Sequence, residues 1–568
     1  MSRTRRTAPE PRTAGARGRH LLLVVAAAAL LRAAYLLDYR AHSVFWDSLL
    51  LDAEVYDAMA RSIAAGDWLA GTSVYTLPPL YPYALAALYA LTGRSLGAVY
   101  VAQALLGVVN VVLIHSIGRK VFSGRAPLIA SVLAVAYGSF MFTESKLMGT
   151  TLALTMGLAL MRLMLLAGEK QTLTLWGGCG ALLGLTALAR PETLLLVPFA
   201  ALWILRVTSR PDAARKAAPI DQYALAGRQP WFALSVFAAF VVIAVSPATL
   251  RNWVVSEDWS LANLISSQAG ITFYQSNNPR SIGLYSFLQD EGFSGNPMVQ
   301  AEEEKTIAEK AEGRPLKRSE VTRYWMGKGV SWIVSNPGPF LVLECKKLLR
   351  FLGSYEYSTE YILAVEREGV RTLWLAPLPF AAITALAVVG LLYQWREGFR
   401  PPAMLLTFFV AANLMAVLAF YVSSRYRMPS APALILFAAS GLDRLVTGFR
   451  SRASSSRVEA WLHAGIAALL FVLFHVQVDA SHRVQEANAH YNAGNQHYNK
   501  KEYGLAVAEY ERALAGDRRN WRAWYNMGNA LNAAGRPREA VEAYRQALRI
   551  NEGMEAARRQ LRALGESP

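Results

Sequence analysis

The chain is poor in charge, in cysteine and in catalytic signatures. Only 17% of its 568 residues are Asp, Glu, Lys or Arg, and 54% are hydrophobic. With a mean hydropathy of +0.22, this excludes a disordered chain and an ordinary soluble globule. Two cysteines, Cys179 and Cys345, stand in unrelated contexts. They give no disulfide framework and no metal site. No P-loop, dinucleotide fingerprint, HExxH zinc motif or GxSxG elbow occurs in a fitting context. Acidic residues are outnumbered, 41 against 58 basic, for a formal net charge of +17. In a soluble protein that excess would suggest nucleic acid. Here the basic residues cluster in short loops between apolar runs, so membrane topology accounts for them and no nucleic-acid partner is inferred.

What the chain has is long apolar runs. They predict eleven spans, at 20–38, 96–117, 127–142, 148–167, 172–189, 193–206, 231–250, 371–393, 402–422, 429–447 and 459–480. The basic start before the first run lacks a small-residue cleavage site, and Arg32 and Asp38 interrupt the pattern, so it reads as a retained first span. The segments 1–19, 118–126, 206–229, 394–400 and 444–457 are rich in Arg and Lys. They alternate correctly if the N-terminus is cytoplasmic. The C-terminus then lies outside. The apolar stretch "PPLYPYALAALYALTG" (78–93) is too short for a span and reads as a re-entrant or surface-lying helix. The region 251–370 forms a second long outer segment beside the first, 39–95.

After the last span the composition changes and a 34-residue period appears. Tyr491 pairs with Tyr525, Gly494 with Gly528, Ala506 with Ala540, Tyr510 with Tyr544 and Ala513 with Ala547. Small residues recur where two helices touch and aromatics fill the gaps, as in tetratricopeptide repeats. The repeats fall at 487–520 and 521–554, with a closing helix at 554–565, in a domain of 487–568. Two repeats barely make a core, so the module is expected to lean on the membrane domain or on a partner. Asn492, Asn495, Asn526 and Asn529 would line its inner groove, either as ordinary repeat chemistry or as a clamp for a peptide carboxylate.

Candidate chemistry sits at the outer ends of spans, where charged groups are costly. In "LLLDAEVYDAMARSIAAGDW" (49–68), Asp52 falls in the middle of an apolar helical face. It is either a helix cap, with no capping box because Val55 stands at the third helical position, or a base held against the membrane domain. Glu144 and Lys146 lie in an outer turn, "FMFTESKLMGTT", either solvated or converging on the same cavity. Arg425 and Arg427, beside Pro429, suit a phosphate or lipid head groups. Arg190 and Arg251 are further outer-end candidates. Arg32, inside the first span, must snorkel or pair.

The ordered set "LDAEVYDAMARSIAAGDW", "YTLPPLYPYAL", "FTESKL", "ALARPETLLLVPF", "RNWVVSEDWSL", "GITFYQSNNP", "NPGPFLVLECKKLLRFLGSYE" and "SSRYRMPSAPAL" resembles the GT-C membrane glycosyltransferases. The branch is that of the protein O-mannosyltransferases and lipid A aminoarabinose transferases, including bacterial relatives with C-terminal tetratricopeptide repeats. The resemblance covers about 20–450. It implies an all-α fold, with a polytopic membrane domain over 20–480 after a basic tail (1–19), followed by a short α-solenoid. It implies Asp52 and Glu144 as catalytic carboxylates. It implies substrate binding by Tyr56, Lys146, Arg190, Arg251, Asn277, Asn278, Glu356, Arg425 and Arg427. Relatives often have Asp-Glu at the first position; here Ala53 replaces the Glu, and Glu54 points about 200° away from Asp52. Leu77 stands where some relatives have Lys before a Pro-Pro pair.

The implied reaction is an inverting transfer of a hexose or pentose from a polyprenyl-phosphate donor to an acceptor hydroxyl outside the membrane. Asp52 would take the hydroxyl proton. Arg425 and Arg427 would stabilise the departing phosphate. No cofactor is required and no metal site is indicated. The acceptor is a lipid, a glycan or a protein, the repeats offer a place for a protein partner, and the setting is the bacterial inner membrane. Two other readings compete: an O-antigen ligase or polymerase type of enzyme, whose main catalytic loop would come late in the chain, and a non-enzymatic scaffold displaying the repeats. A transporter would place charges at mid-span or repeat broken helices in two halves, and neither pattern is found.

Overall fold

The structure, a computed structural model, describes residues 11–209, 229–286, 288–294, 299–476 and 480–567. Of the expected basic cytoplasmic segments, 1–10 and 210–228 lie outside the described residues. The fold is all-α. Every regular element among the described residues is helical, with one isolated bridge between Tyr137 and Pro377.

Eight segments, from Gly18–His42 to Ser454–His475, are long and apolar enough to cross a membrane. The shorter apolar helices Ala126–Ala136, Leu173–Ala189 and Phe380–Arg396 occupy the remaining expected positions. Helix Leu80–Thr92 has 13 residues, about 20 Å, and packs beside Asp52–Ala64 rather than traversing the bundle.

Two expected spans differ in detail, for one shared reason. The 127–142 run breaks at Tyr137, and in the 371–393 run a short 3-10 helix, Arg371–Leu375, stops before the α-helix that begins at Phe380. Pro377 and Pro379 have no N–H for a helix, so 376–379 stays extended. It pairs with the break instead: Gly138 N donates to Ala376 O at 3.2 Å and Leu378 N to Ala136 O at 3.0 Å.

Small residues bring the long helices together. A Cβ on Gly180 would stand 2.1 Å from the Phe237 carbonyl oxygen, and one on Gly390 2.0 Å from that of Phe437. One end of the bundle carries exposed ion pairs, Lys120–Glu169, Arg396–Glu459 and Arg444–Glu397. The opposite end carries the Asp52 helix and the polar helices between Ala269 and Leu352. There Asp258 anchors one of them by accepting from Ser319 N at 2.8 Å and Ser319 Oγ at 2.9 Å.

The repeats rest on that same end. Helices Ser481–Asn499 and Tyr503–Gly516 form one hairpin, Trp521–Ala533 and Pro537–Ile550 the next, and Glu555–Ala563 closes them. The period is visible in the packing. Tyr510 OH donates to Asn495 Oδ1 at 2.8 Å, and one period later Tyr544 OH donates to Asn529 Oδ1 at 2.9 Å. The module leans on the membrane domain, as a two-repeat solenoid must. Lys500 Nζ donates to Val44 O at 3.0 Å, Ser358 N to Gln485 Oε1 at 3.2 Å, and Arg512 pairs with Glu368 at 3.1 Å.

Candidate active site

Asp52 opens the helix Asp52–Ala64. Leu51 before it has a φ of 49°, strained for a branched side chain, and no side-chain cap bond is made there. The capping reading of Asp52 therefore fails. The strained turn is held from outside: Leu50 N donates to Tyr361 OH at 3.0 Å, and Tyr361 packs edge-on against Phe45. Turned this way, the Asp52 carboxylate enters a cavity of about 390 Å³ instead of capping its own helix.

Inside the cavity one guanidinium joins two carboxylates. Arg425 donates from one nitrogen to Asp52 Oδ2 at 2.7 Å and to Glu360 Oε1 at 3.1 Å. No hydrogen bond among the described residues uses Asp52 Oδ1. Glu360 is 3% exposed and Asp52 24% exposed, so Glu360 loses far more hydration. Burial, opposed by Arg425 and reinforced by the Asp52 charge, pushes the Glu360 carboxyl up to about 8.

A second cation joins them. Arg190 donates to the Arg425 backbone carbonyl at 3.0 Å and pairs with Glu192 at 2.6 Å. The Tyr426 ring lies 4.6 Å from the Arg190 guanidinium and 5.2 Å from that of Arg425, so one aromatic ring contacts both. Tyr56, one turn after Asp52, also lines the cavity and packs edge-on against Tyr81. The membrane side is apolar, with Leu194, Leu195 and Phe420. A smaller apolar cavity of about 50 Å³ between the long helices shares Arg190 and Glu192 with it.

Of the sequence candidates, Asp52, Tyr56, Arg190 and Arg425 thus come together. The others do not line this cavity. Glu144 accepts two bonds from Arg32, at 2.7 and 2.8 Å, inside the bundle. That settles the partner of Arg32 and removes Glu144 from the expected convergence, because a buried cation claims a buried carboxylate first. Gly107 makes room for the pair, since a Cβ there would stand 2.0 Å from Glu144 Oε1. Lys146 pairs with Glu366 at 3.2 Å among the rings of Tyr39, Phe142 and Tyr361. Arg427 points away from Arg425, pairs with Glu356 at 2.8 Å and donates to the carbonyls of Arg350, Phe351, Gly353 and Tyr355. Arg251 binds the carbonyls of Leu69, Ala70, Gly71 and Ser73, and Asn277 those of Phe273 and Ala419. Asn278 closes its own turn by donating to Tyr274 O and Gln275 O. These residues fasten the outer segments to the bundle. Glu192, an outer-end candidate beside Arg190 in the sequence, also lines the cavity, whereas Glu360 and Tyr426 are cavity residues outside the predicted set. Glu360 had one available signal, its spacing of four from Glu356 in "SYEYSTEY". Among the described residues no group of three or more His, Cys, Asp or Glu side chains is arranged to hold a metal ion.

No curated protein matches the chain. Among solved structures it is similar to the archaeal oligosaccharyltransferase AglB from Archaeoglobus fulgidus, in complex with an inhibitory peptide and a dolichol-phosphate. That match has 14% identity and a TM-score of 0.38, over 86% of this chain and 59% of that one, so the chain spans little more than half that relative's length. It is also similar to ArnT from Cupriavidus metallidurans bound to undecaprenyl phosphate, with 15% identity and a TM-score of 0.34, over 75% of this chain and 78% of that one. The tetratricopeptide-repeat model matches residues 521–554. Residues 76–247, which run from the cavity wall at Thr76 and Leu77 through Arg190 and Glu192, match the model of the dolichyl-phosphate-mannose-protein mannosyltransferases, and over that segment the chain is similar to this family.

Proposed function

We propose that the protein is an inverting glycosyltransferase that moves a sugar from a polyprenyl-phosphate donor to an acceptor hydroxyl on the extracytoplasmic face of a bacterial inner membrane. The observation that carries this reading is the Asp52–Arg425–Glu360 arrangement in a cavity with one polar and one apolar wall. Asp52 has one oxygen fixed by Arg425 and the other open. It is placed to accept the proton of a hydroxyl as that hydroxyl attacks the anomeric carbon. As the sugar–phosphate bond breaks, charge grows on the phosphate. Arg190 and Arg425 supply fixed positive charge to receive it. A protonated Glu360 leaves Arg425 balanced by Asp52 alone, so its positive charge remains available to the phosphate. The polyprenyl tail would run from the cavity's apolar wall along the smaller cavity that Arg190 also lines. A single displacement inverts the anomeric centre.

The distribution of basic loops supports this orientation. Asp52, Arg190, Glu360 and Arg425 come from four separate inter-span segments that alternate onto the side poor in basic loops. The domains proposed are the tail 1–19, the transferase domain 20–480 and the repeats 487–568.

The test is transfer from undecaprenyl-phosphate-linked sugars by the purified full-length protein, compared with Asp52→Asn. Loss of a general base predicts a fall in kcat of about a hundredfold to ten-thousandfold with undecaprenyl-phosphate binding retained. Full activity in a correctly inserted Asp52→Asn protein would refute the assignment.

A further inference from the structure

Asp52 stands directly after a residue that is hard to hold. Ala53 N donates to Leu50 O at 3.0 Å, which closes a turn over Leu51 and Asp52. Leu51 has a φ of 49° and a ψ of −116°, values that a type II′ turn reserves for glycine. A leucine keeps them only under restraint from its surroundings. Arg425 restrains the turn from the side-chain end, through its bond to Asp52. Tyr361 restrains it from the backbone end, as the hydroxyl that accepts from Leu50 N. Tyr361 follows Glu360 in sequence, so one segment supplies both restraints, Glu360 through Arg425 and Tyr361 directly. Glu360 lines the cavity and Tyr361 does not, so Tyr361 acts on Asp52 without reaching a bound donor.

That segment is itself fixed by the first repeat. In helix Ser481–Asn499, Glu486 Oε1 accepts from Tyr355 OH at 3.1 Å and Gln485 Oε1 from Ser358 N at 3.2 Å. Further along, Glu368 pairs with Arg512 at 3.1 Å and lies 3.8 Å from His490. These contacts bracket Glu360 and Tyr361 on both sides in the sequence. Phe45 packs edge-on against the Tyr361 ring, and Lys500 binds the carbonyl of its neighbour Val44. Ala493, from the same repeat helix, is buried in one apolar cluster with Phe45, Leu50 and Tyr361.

We propose that Tyr361 is a positioning residue for Asp52 and that the first repeat is its buttress. The repeat helix holds 355–368, and Tyr361 passes that hold to the turn that aims the carboxylate. The inference rests on the glycosyltransferase reading for what Asp52 does, but not for how its turn is held.

The experiment uses the full-length protein in detergent and two perturbations. Tyr361→Phe keeps the ring and removes the hydroxyl. The pair Gln485→Ala with Glu486→Ala keeps Tyr361 and removes two repeat contacts. Each is made alone and in a Leu51→Gly background, where glycine adopts the turn without restraint. The readouts are kcat and KM for transfer from undecaprenyl-phosphate-linked sugars, and amide hydrogen exchange over 50–56. Tyr361→Phe is expected to lower kcat by about ten- to a hundredfold and the repeat pair by about three- to tenfold, with the donor KM unchanged. Both should speed exchange over 50–56. In the Leu51→Gly background each loss of kcat should shrink to about twofold or less. A merely structural role would cost the same in both backgrounds. That result, an unchanged kcat or an unchanged exchange would overturn the proposal. Exchange that responds as expected in a protein that transfers no lipid-linked sugar leaves the restraint standing and removes the transferase reading.

Discussion

Glu360→Gln is the most discriminating change the cavity offers. The wild-type carboxyl is pushed from 4.5 up to about 8. At pH 7 about nine-tenths of it is protonated, and at pH 9 about one-tenth. Ionisation places a second negative charge on Arg425, 3.1 Å away, in competition with the donor phosphate. Donor turnover is therefore expected to carry an alkaline limb with a midpoint near pH 8 and a loss of about tenfold by pH 9. Glutamine keeps the hydrogen bond from Arg425 and cannot ionise, so the limb should vanish from the variant while activity at pH 6.5 stays close to wild type.

Stability gives an independent reading with a fixed sign. A carboxyl whose folded pKa is raised contributes stability that is present in full below its unfolded value. That stability is lost as pH rises through the folded value. The window is pH 4.5 to about 8, and the full difference is about 5 kcal/mol. Glu360→Gln should therefore unfold later than wild type at pH 9 and show little advantage at pH 4.5, as measured by thermal unfolding in detergent. An alkaline limb at the same pH in both proteins, or an advantage of the variant that grows toward acid, would refute this account of the shared arginine.

The remaining predictions separate catalytic from structural charge. Arg425→Lys keeps the charge but loses the planar guanidinium that holds one nitrogen between Asp52 and Glu360, so kcat should fall by about ten- to a hundredfold with little change in Tm. Arg427→Lys should do the reverse, lowering stability by about 3 kcal/mol or more because four buried carbonyls lose their donor, as read from thermal unfolding. Glu144→Gln should destabilise the membrane domain by about 3–5 kcal/mol by stranding Arg32, with the surviving folded fraction retaining donor affinity.

The spans and the repeat were legible because each rests on a pattern that survives without coordinates, hydropathy for one and a 34-residue period for the other. Asp52 was legible as a charge that breaks an apolar helical face, and Arg425 as a basic residue in a turn at the outer end of a span. The partnerships were not. Arg425 and Arg427 are two apart on a single helical turn, and residues two apart face opposite sides. Arg425 accordingly lines the cavity while Arg427 turns to Glu356. Glu356 and Glu360 are likewise neighbours in sequence with separate fates. Glu356 goes inward to Arg427, and Glu360 goes to Arg425 in the cavity. Nothing in "SYEYSTEY" marks which acid goes where. Glu144 was a catalytic candidate by resemblance, and its partner Arg32 stands 112 residues away in the first span.

Leu51 is a strained residue in the wall of the Asp52 cavity. It is held in a left-handed conformation at a cost of about 1–3 kcal/mol. Such strain persists only where neighbours over-determine it. Here the Tyr361 hydroxyl holds Leu50, and Arg425 holds Asp52 on the other side. Tyr361 in turn packs near Lys146, whose ion pair with Glu366 lies between the first span and the outer segment. Release of the Arg425–Asp52 bond on donor binding would loosen one of the two restraints on Leu51.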